Sequence, residues 1–183
     1  KGDETPTLLS LWAFNSFGID TIYDFEDMDS VPYMKRSDYR PDGLTPLYDS
    51  VSKGIREIED FIKSRPGNWN VIFTIMTDGI ENYSHSYSRQ EVFDLIKEKE
   101  ASGWAFIYLG ANQDAWEVAG SIGIGKQYSA SYDASNPDGT LRTVAASTLR
   151  GKSAMRRGRK PRDMFTSEER QKFMEKKFGM RRP

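Results

Sequence analysis

Thr45 and Asp78 are the oxygen-bearing residues whose placement most suggests chemistry. Thr45 stands before Pro46 where a helix is predicted to begin, and Asp78-Gly79 ends the apolar run Trp69 to Thr77, which reads as a buried strand. Asp42, Gly43, Glu81 and Asn82 line the same two loops, although Glu81 and Asn82 also read simply as solvated polar residues. A hydroxyl and a carboxylate are hard donors, suited to a hard, oxygen-liking cation. Taken singly, Thr45 also reads as the N-cap of its helix and Asp78-Gly79 as a turn. The chain has no cysteine and a single histidine, His85. That excludes disulfides, Fe–S clusters, Cys-ligated zinc and any site needing two imidazoles. His85 lies in the polar run SHSYS and reads as exposed. Gly120 to Lys126 (GSIGIGK) fits the first seven positions of a phosphate-binding loop, but Gln127 stands where Ser or Thr is required. It also follows a predicted helix and precedes a strand, the reverse of the order that aims a helix N-terminus at phosphate. No nucleophile-base pair or paired carboxylates can be placed, so the chain does not read as an enzyme.

The elements that must position these residues follow from periodicity. Thr7 to Phe14 (TLLSLWAF) is apolar on both faces and reads as a covered strand, and Thr21 to Phe25 as an antiparallel edge strand beyond the Gly18 turn. Glu26 to Leu44 is polar and turn-rich. Leu47, Val51, Ile55, Ile58 and Ile62 recur at helical spacing up to Pro66-Gly67, with Pro46 in the first helical position. Ser88-x-x-Glu91 is a capping box for a helix stopping at Gly103. Trp104 to Leu109 is a second buried strand, a short helix runs from Asn112 or Asp114 through Ile122, and Gln127 to Tyr132 is a weaker last strand. The alternation predicts an α/β fold: a Rossmann-like three-layer sandwich with a mostly parallel sheet and one antiparallel edge strand. Loops at the carboxyl ends of its strands would carry the function.

The segments Asp42-Gly43-Leu44-Thr45-Pro46-Leu47-Tyr48-Asp49 and Ile75-Met76-Thr77-Asp78-Gly79-Ile80-Glu81-Asn82 resemble two of the three loops of a von Willebrand factor A domain. WAFIYLGANQDAWEVAGSIGI resembles the corresponding stretch of its small, free-standing members from bacteria and phages. The resemblance runs from Thr7 to about Asp133, the family's second strand to its sixth. It implies a metal-ion-dependent adhesion site for Mg²⁺ or Mn²⁺ with Thr45 and Asp78 as ligands, and a protein partner whose Asp or Glu takes the open position. The family's first loop, Asp-x-Ser-x-Ser, is absent; Asp133-Ala-Ser135-Asn-Pro137 comes nearest but follows the last strand. In the family the first strand lies between the second and fourth. We therefore expect Thr7–Phe14 and Val71–Thr77 not to pair, another polypeptide segment to occupy the gap, and metal binding to be weak or absent without the first loop. The opening KGDETPT has neither an initiating Met nor a signal peptide's apolar region, and Lys1 is not expected to be the natural start.

The domain is thus expected over residues 1–135, followed by a helix over 136–155 that has little to bury, and a basic extension over 156–183. Lys152 to Pro183 holds 12 Lys and Arg against 4 Asp and Glu, although the 183-residue chain has a net charge of −1. The extension dilutes an apolar fraction of 37%. Thr166-Ser-Glu-Glu169 is a second capping box, opening a short helix with Phe173, Met174 and Phe178 behind the anchor Phe165. With Arg156, Arg157, Arg159 and Lys160 as its basic tether, this reads as a docking peptide for a groove on a partner or on this domain. A solvated tail is the plainer reading. The combined expectation is a non-catalytic, metal-assisted protein-binding module, cytoplasmic or within a virion. The first alternative is a structural subunit of a phage particle or other large assembly, a homo-oligomer included, with a vestigial metal site. The second is a nucleic-acid-associated protein acting through the basic tail. No apolar run is long enough to span a membrane.

Overall fold

The computed structural model describes residues 6–35, 37–38, 42–111, 115–132, 137–159, 161 and 165–169. Strands β1 (Leu8–Asn15) and β2 (Gly18–Asp27) form an antiparallel hairpin, and α1 (Leu47–Ser64) leads to β3 (Ile72–Thr77). Then follow α2 (Arg89–Ala101), β4 (Ala105–Ala111), α3 (Ala115–Ser121), a 3-10 turn over Lys126–Tyr128, β5 (Ser129–Tyr132) and α4 (Pro137–Arg156). The fold is α/β, with β3, β4 and β5 in a three-stranded parallel sheet, order β3-β4-β5, and β1 and β2 in a second, two-stranded sheet.

Among the described residues the strands thus lie in two sheets, one parallel and one antiparallel. β1 and β3 do not pair, as anticipated, and each carries an open edge among the described residues. One helix covers both. The stripe Leu47, Val51, Ile55 is buried with Phe73 and Ile75 of β3, and Phe14 of β1 packs on the same cluster. A Cβ added to Gly54 would lie 3.0 Å from the Phe73 ring and 3.8 Å from Trp12. Gly54 lets α1 approach both sheets at once. A β-bulge in the hairpin puts Phe25 at φ 51° and aims its ring at α1. There it stacks on Phe61 with centroids 3.7 Å apart, while Trp12 meets it edge-on. Such a stack is worth roughly 0.5–1.5 kcal/mol, comparable to the strain of a non-glycine residue in that backbone region.

The three-stranded sheet is covered on both faces. Phe106 and Tyr108 of β4 face α1, α2 and α3, whereas Ile107 and Leu109 face Ala130, Val144 of α4 and Phe165. Strict alternation in a run with no polar residue is what a doubly covered strand requires. Lys99 of α2 is buried because Glu59 of α1 pairs with it, and Glu98 lies 2.6 Å from its Nζ. On the α4 side β3 is only partly covered: Ile72 packs there, but Thr74 is exposed and Met76 is 37% exposed. β1, apolar as it is, has no fully buried residue.

Several boundaries differ from the sequence reading. The last strand begins at Ser129, because Lys126–Tyr128 turns as 3-10 helix. α4 runs from Pro137 to Arg156 and does bury a face, with Ser147, Gly151 and Met155 inside. The segment after it returns to the domain. Phe165 is fully buried, Tyr128 donates its hydroxyl to the Pro161 carbonyl at 2.6 Å, and Arg150 pairs with Glu169 at 2.6 Å. The second capping box forms: Thr166 N–H donates to the Glu169 carboxylate and Glu169 N–H to the Thr166 hydroxyl.

Phe165→Ala should destabilise the protein by about 3–5 kcal/mol in urea unfolding, the usual cost of emptying an aromatic core position; a cost under about 0.5 kcal/mol would show that Phe165 is not a core residue in solution. Hydrogen exchange should protect the amides of β4, bonded on both sides, more than those on the open edges of β1 and β3.

Candidate functional site

The loops before α1 and after β3 meet at one place. Thr45 N–H donates to Asn82 Oδ1 at 2.8 Å, and Asn82 N–H donates to the Thr45 carbonyl at 3.2 Å. The Thr45 hydroxyl lies against the Cα of Gly79, where any Cβ would overlap it and would stand 3.2 Å from Thr45 Cβ. Only glycine fits. The Thr77 hydroxyl bridges the Gly79 N–H and carbonyl, 3.2 Å to each, and so shapes the turn that presents Asp78 to solvent. Gly43 has φ 83°, and a Cβ there would lie 2.6 Å from Ser16 Oγ. Leu44 N–H donates to that same Ser16 hydroxyl at 3.0 Å, which brings the β1–β2 turn to this site. Asp42 is exposed, its carboxylate accepting from its neighbour Gly43 N–H at 2.8 Å.

Thr45 does not cap α1. The N-cap is Pro46, with no side-chain hydrogen bond, and the helix starts at Leu47. Proline has neither an N–H nor a side-chain acceptor, so the orphan N–H groups of the first turn find partners elsewhere. Glu81 Oε2 accepts from Tyr48 N–H at 2.9 Å, and Ser84 Oγ accepts from Tyr48 and Asp49 N–H at 3.0 and 3.1 Å. The exchange is reciprocal. The Asp49 carboxylate accepts from the backbone N–H of His85, Ser86 and Tyr87 at 2.8 to 3.2 Å. Two carboxylates at a helix N-terminus also suit the positive end of its dipole.

Glu81 further accepts from Tyr83 N–H, Ser84 N–H and the Ser84 hydroxyl. Burial pushes its carboxyl up, but the bonds from Ser84, Tyr48 and Tyr83 outweigh that and hold it below the ordinary range. The neighbouring Tyr48 phenol is raised, by burial and then by the Glu81 charge, with Arg89 opposing. Glu81 is thus a bracket between loop and helix, and its oxygens are committed to the backbone.

Among the residues singled out from sequence, Gly43, Thr45, Gly79 and Glu81 stand together, with Asp42 and Asp78 exposed beside them. Asn82 reads from sequence only as a polar residue of the same loop as Glu81, and Ser84, Asp49 and Ser16 were not singled out. Only Asp49 carried a signal, an acidic residue in the first turn of a predicted helix. Arg156, Arg157 and Arg159 are exposed at the end of α4, whereas Phe165 fills a groove on this domain. Lys160, Phe173, Met174 and Phe178 lie outside the described residues. His85 is exposed, edge-on to Tyr83 with centroids 4.7 Å apart. In the GSIGIGK segment Lys126 sits 3.9 Å above the Trp116 ring, and no α-helix follows the loop to receive a phosphate.

Mg²⁺ takes six oxygens, several of them water. Thr45 and Asp78 offer two donors of the right chemistry, so the pair fits part of such a shell. No group of three or more His, Asp or Glu side chains that could hold a metal ion exists among the described residues. No family model and no curated protein matches the chain. No helix among the described residues is long and apolar enough to cross a membrane.

Glu81→Gln should cost about 1–2 kcal/mol at pH 7, the worth of charge-assisted caps at a partly exposed site. Because the folded carboxyl titrates below the unfolded one, this stabilisation is complete above the unfolded value near 4.5 and fades as pH falls through the lower folded value. Urea titrations of wild type and variant should converge in acid; a constant gap would assign the cost to packing.

Proposed function

We propose that this chain is a von Willebrand factor A-like α/β domain that binds a protein partner with the help of Mg²⁺ or Mn²⁺ and performs no catalysis. One observation carries the reading: the Thr45 hydroxyl packs on Gly79, beside Asp78, so residues from two loops converge where the resemblance calls for ligands. The open edges of β1 and β3 beneath one helix support it. Under this reading a further strand, bearing the Asp-x-Ser-x-Ser loop, seats between them and completes a Rossmann-like three-layer sandwich. The cation would supply an open coordination position for an Asp or Glu of the partner. Thr45 and Asp78 would hold it, and Glu81 and Asn82 keep their two loops in register. The exposed basic residues that close α4 belong to a docking surface, in the cytoplasm or in a virion.

Calorimetric titration with Mn²⁺ tests this. The chain should bind weakly, and Asp78→Ala and Thr45→Ala should abolish the heat while leaving the circular dichroism spectrum unchanged. Equal heats for wild type and Asp78→Ala would overturn the proposal. Assembly that survives both EDTA and Asp78→Ala would favour a structural subunit with a vestigial site.

A further inference from the structure

The end of α4 carries charge of one sign. From Arg142 to Arg159 the chain has six Lys and Arg and no Asp or Glu. Leu149, Lys152, Ser153, Arg156 and Arg157 line an open groove of about 540 Å³, their spacing placing them along one helical face. Leu149 is 67% exposed there. The segment Gly18 to Met34 is the converse, with Asp20, Asp24, Glu26, Asp27 and Asp29 and no Lys or Arg. All five carboxylates are exposed, and Met28 beside them is 47% exposed.

The two surfaces adjoin. Lys152 Nζ donates to the Thr7 hydroxyl, the Thr7 carbonyl accepts from Met28 N–H at 2.8 Å, and Leu8 is paired with Asp27. Adjacent as they are, they do not neutralise each other: none of the five carboxylates forms an ion pair among the described residues, and neither do Lys152 and Arg157. Opposite charges side by side on one surface are self-complementary about a two-fold axis, because rotation lays each acidic segment on the other copy's basic groove.

We propose that this surface is a dimer interface for a second copy of the chain, with the Asp20–Asp29 segment of each copy seated in the α4 groove of the other and Met28 set against Leu149. A contact of this kind closes at two copies. Exposed ion pairs are individually weak, so it draws on several pairs at once and weakens with salt. No metal takes part, so the dimer stands or falls separately from the adhesion site.

Sedimentation velocity of the full chain tests it. The dissociation constant should rise at least about tenfold between low salt and about 0.5 M NaCl, where screening shortens electrostatic reach to a few ångströms. The triple variant Lys152→Glu, Arg156→Glu, Arg157→Glu should be monomeric, and so should Asp24→Lys, Glu26→Lys, Asp29→Lys. An equimolar mixture of the two should form a heterodimer, since each then offers charge of one sign, and that arm also shows that both variants fold. A chain that stays monomeric at low salt, a dimer indifferent to both reversals, or a mixture that stays monomeric would overturn the proposal. So would a monomeric wild-type chain that binds a labelled single-stranded oligonucleotide and loses it on basic reversal, which would give the groove to nucleic acid.

Discussion

Helix α1 buries Leu47, Val51 and Ile55 against strands of two sheets that, among the described residues, are not hydrogen-bonded to each other. Everything else in the molecule is arranged around that burial. A two-stranded ribbon is marginal alone in water, so the β1–β2 hairpin depends on what α1 offers: Phe61 beneath Phe25, and the glycine gap at Gly54 that admits both Trp12 and Phe73. The three-stranded sheet depends on it less, because α4 and Phe165 cover its other face. The hairpin is accordingly the part most exposed to loss if α1 is perturbed.

The same helix explains why the candidate site holds its shape. A proline at the N-cap leaves the first turn without a local acceptor, and two backbone-binding carboxylates, Glu81 and Asp49, answer from opposite sides of the junction. Each satisfies N–H groups of the other's segment. The loop after β3 therefore cannot move without uncapping α1, and this coupling keeps Thr45 against Gly79 and Asp78 at the surface. A ligand-presenting site of the kind proposed would need such support, because ligand positions must be set before a partner arrives.

Much of the fold was legible in residue patterns. The stripe of α1, the Ser88–Glu91 and Thr166–Glu169 capping boxes and the buried run of β4 are local signals, and each is realised. Thr45 shows where local reasoning stops. As a Thr before a predicted helix it satisfies every capping preference, yet its side chain points to Gly79, because the competing acceptors lie 36 and more residues further on in the chain. Phe165 is similar: its apolar character was visible, but whether it docks here or on another molecule depends on a groove built by β4, β5 and α4.

What the amino-acid order determined by itself is therefore whatever depends on neighbours within a turn or two: element type, caps, breaks, and the segregation of acid into the hairpin and base into α4. What only the tertiary structure decided is which of those elements share a core and which do not. Apolar periodicity says that β1 and β3 each want burial, but burial is non-directional; strand pairing is a matter of hydrogen-bonded edges between residues some sixty positions apart. The split of the strands into two sheets, with one helix across both, belongs to that second kind of information.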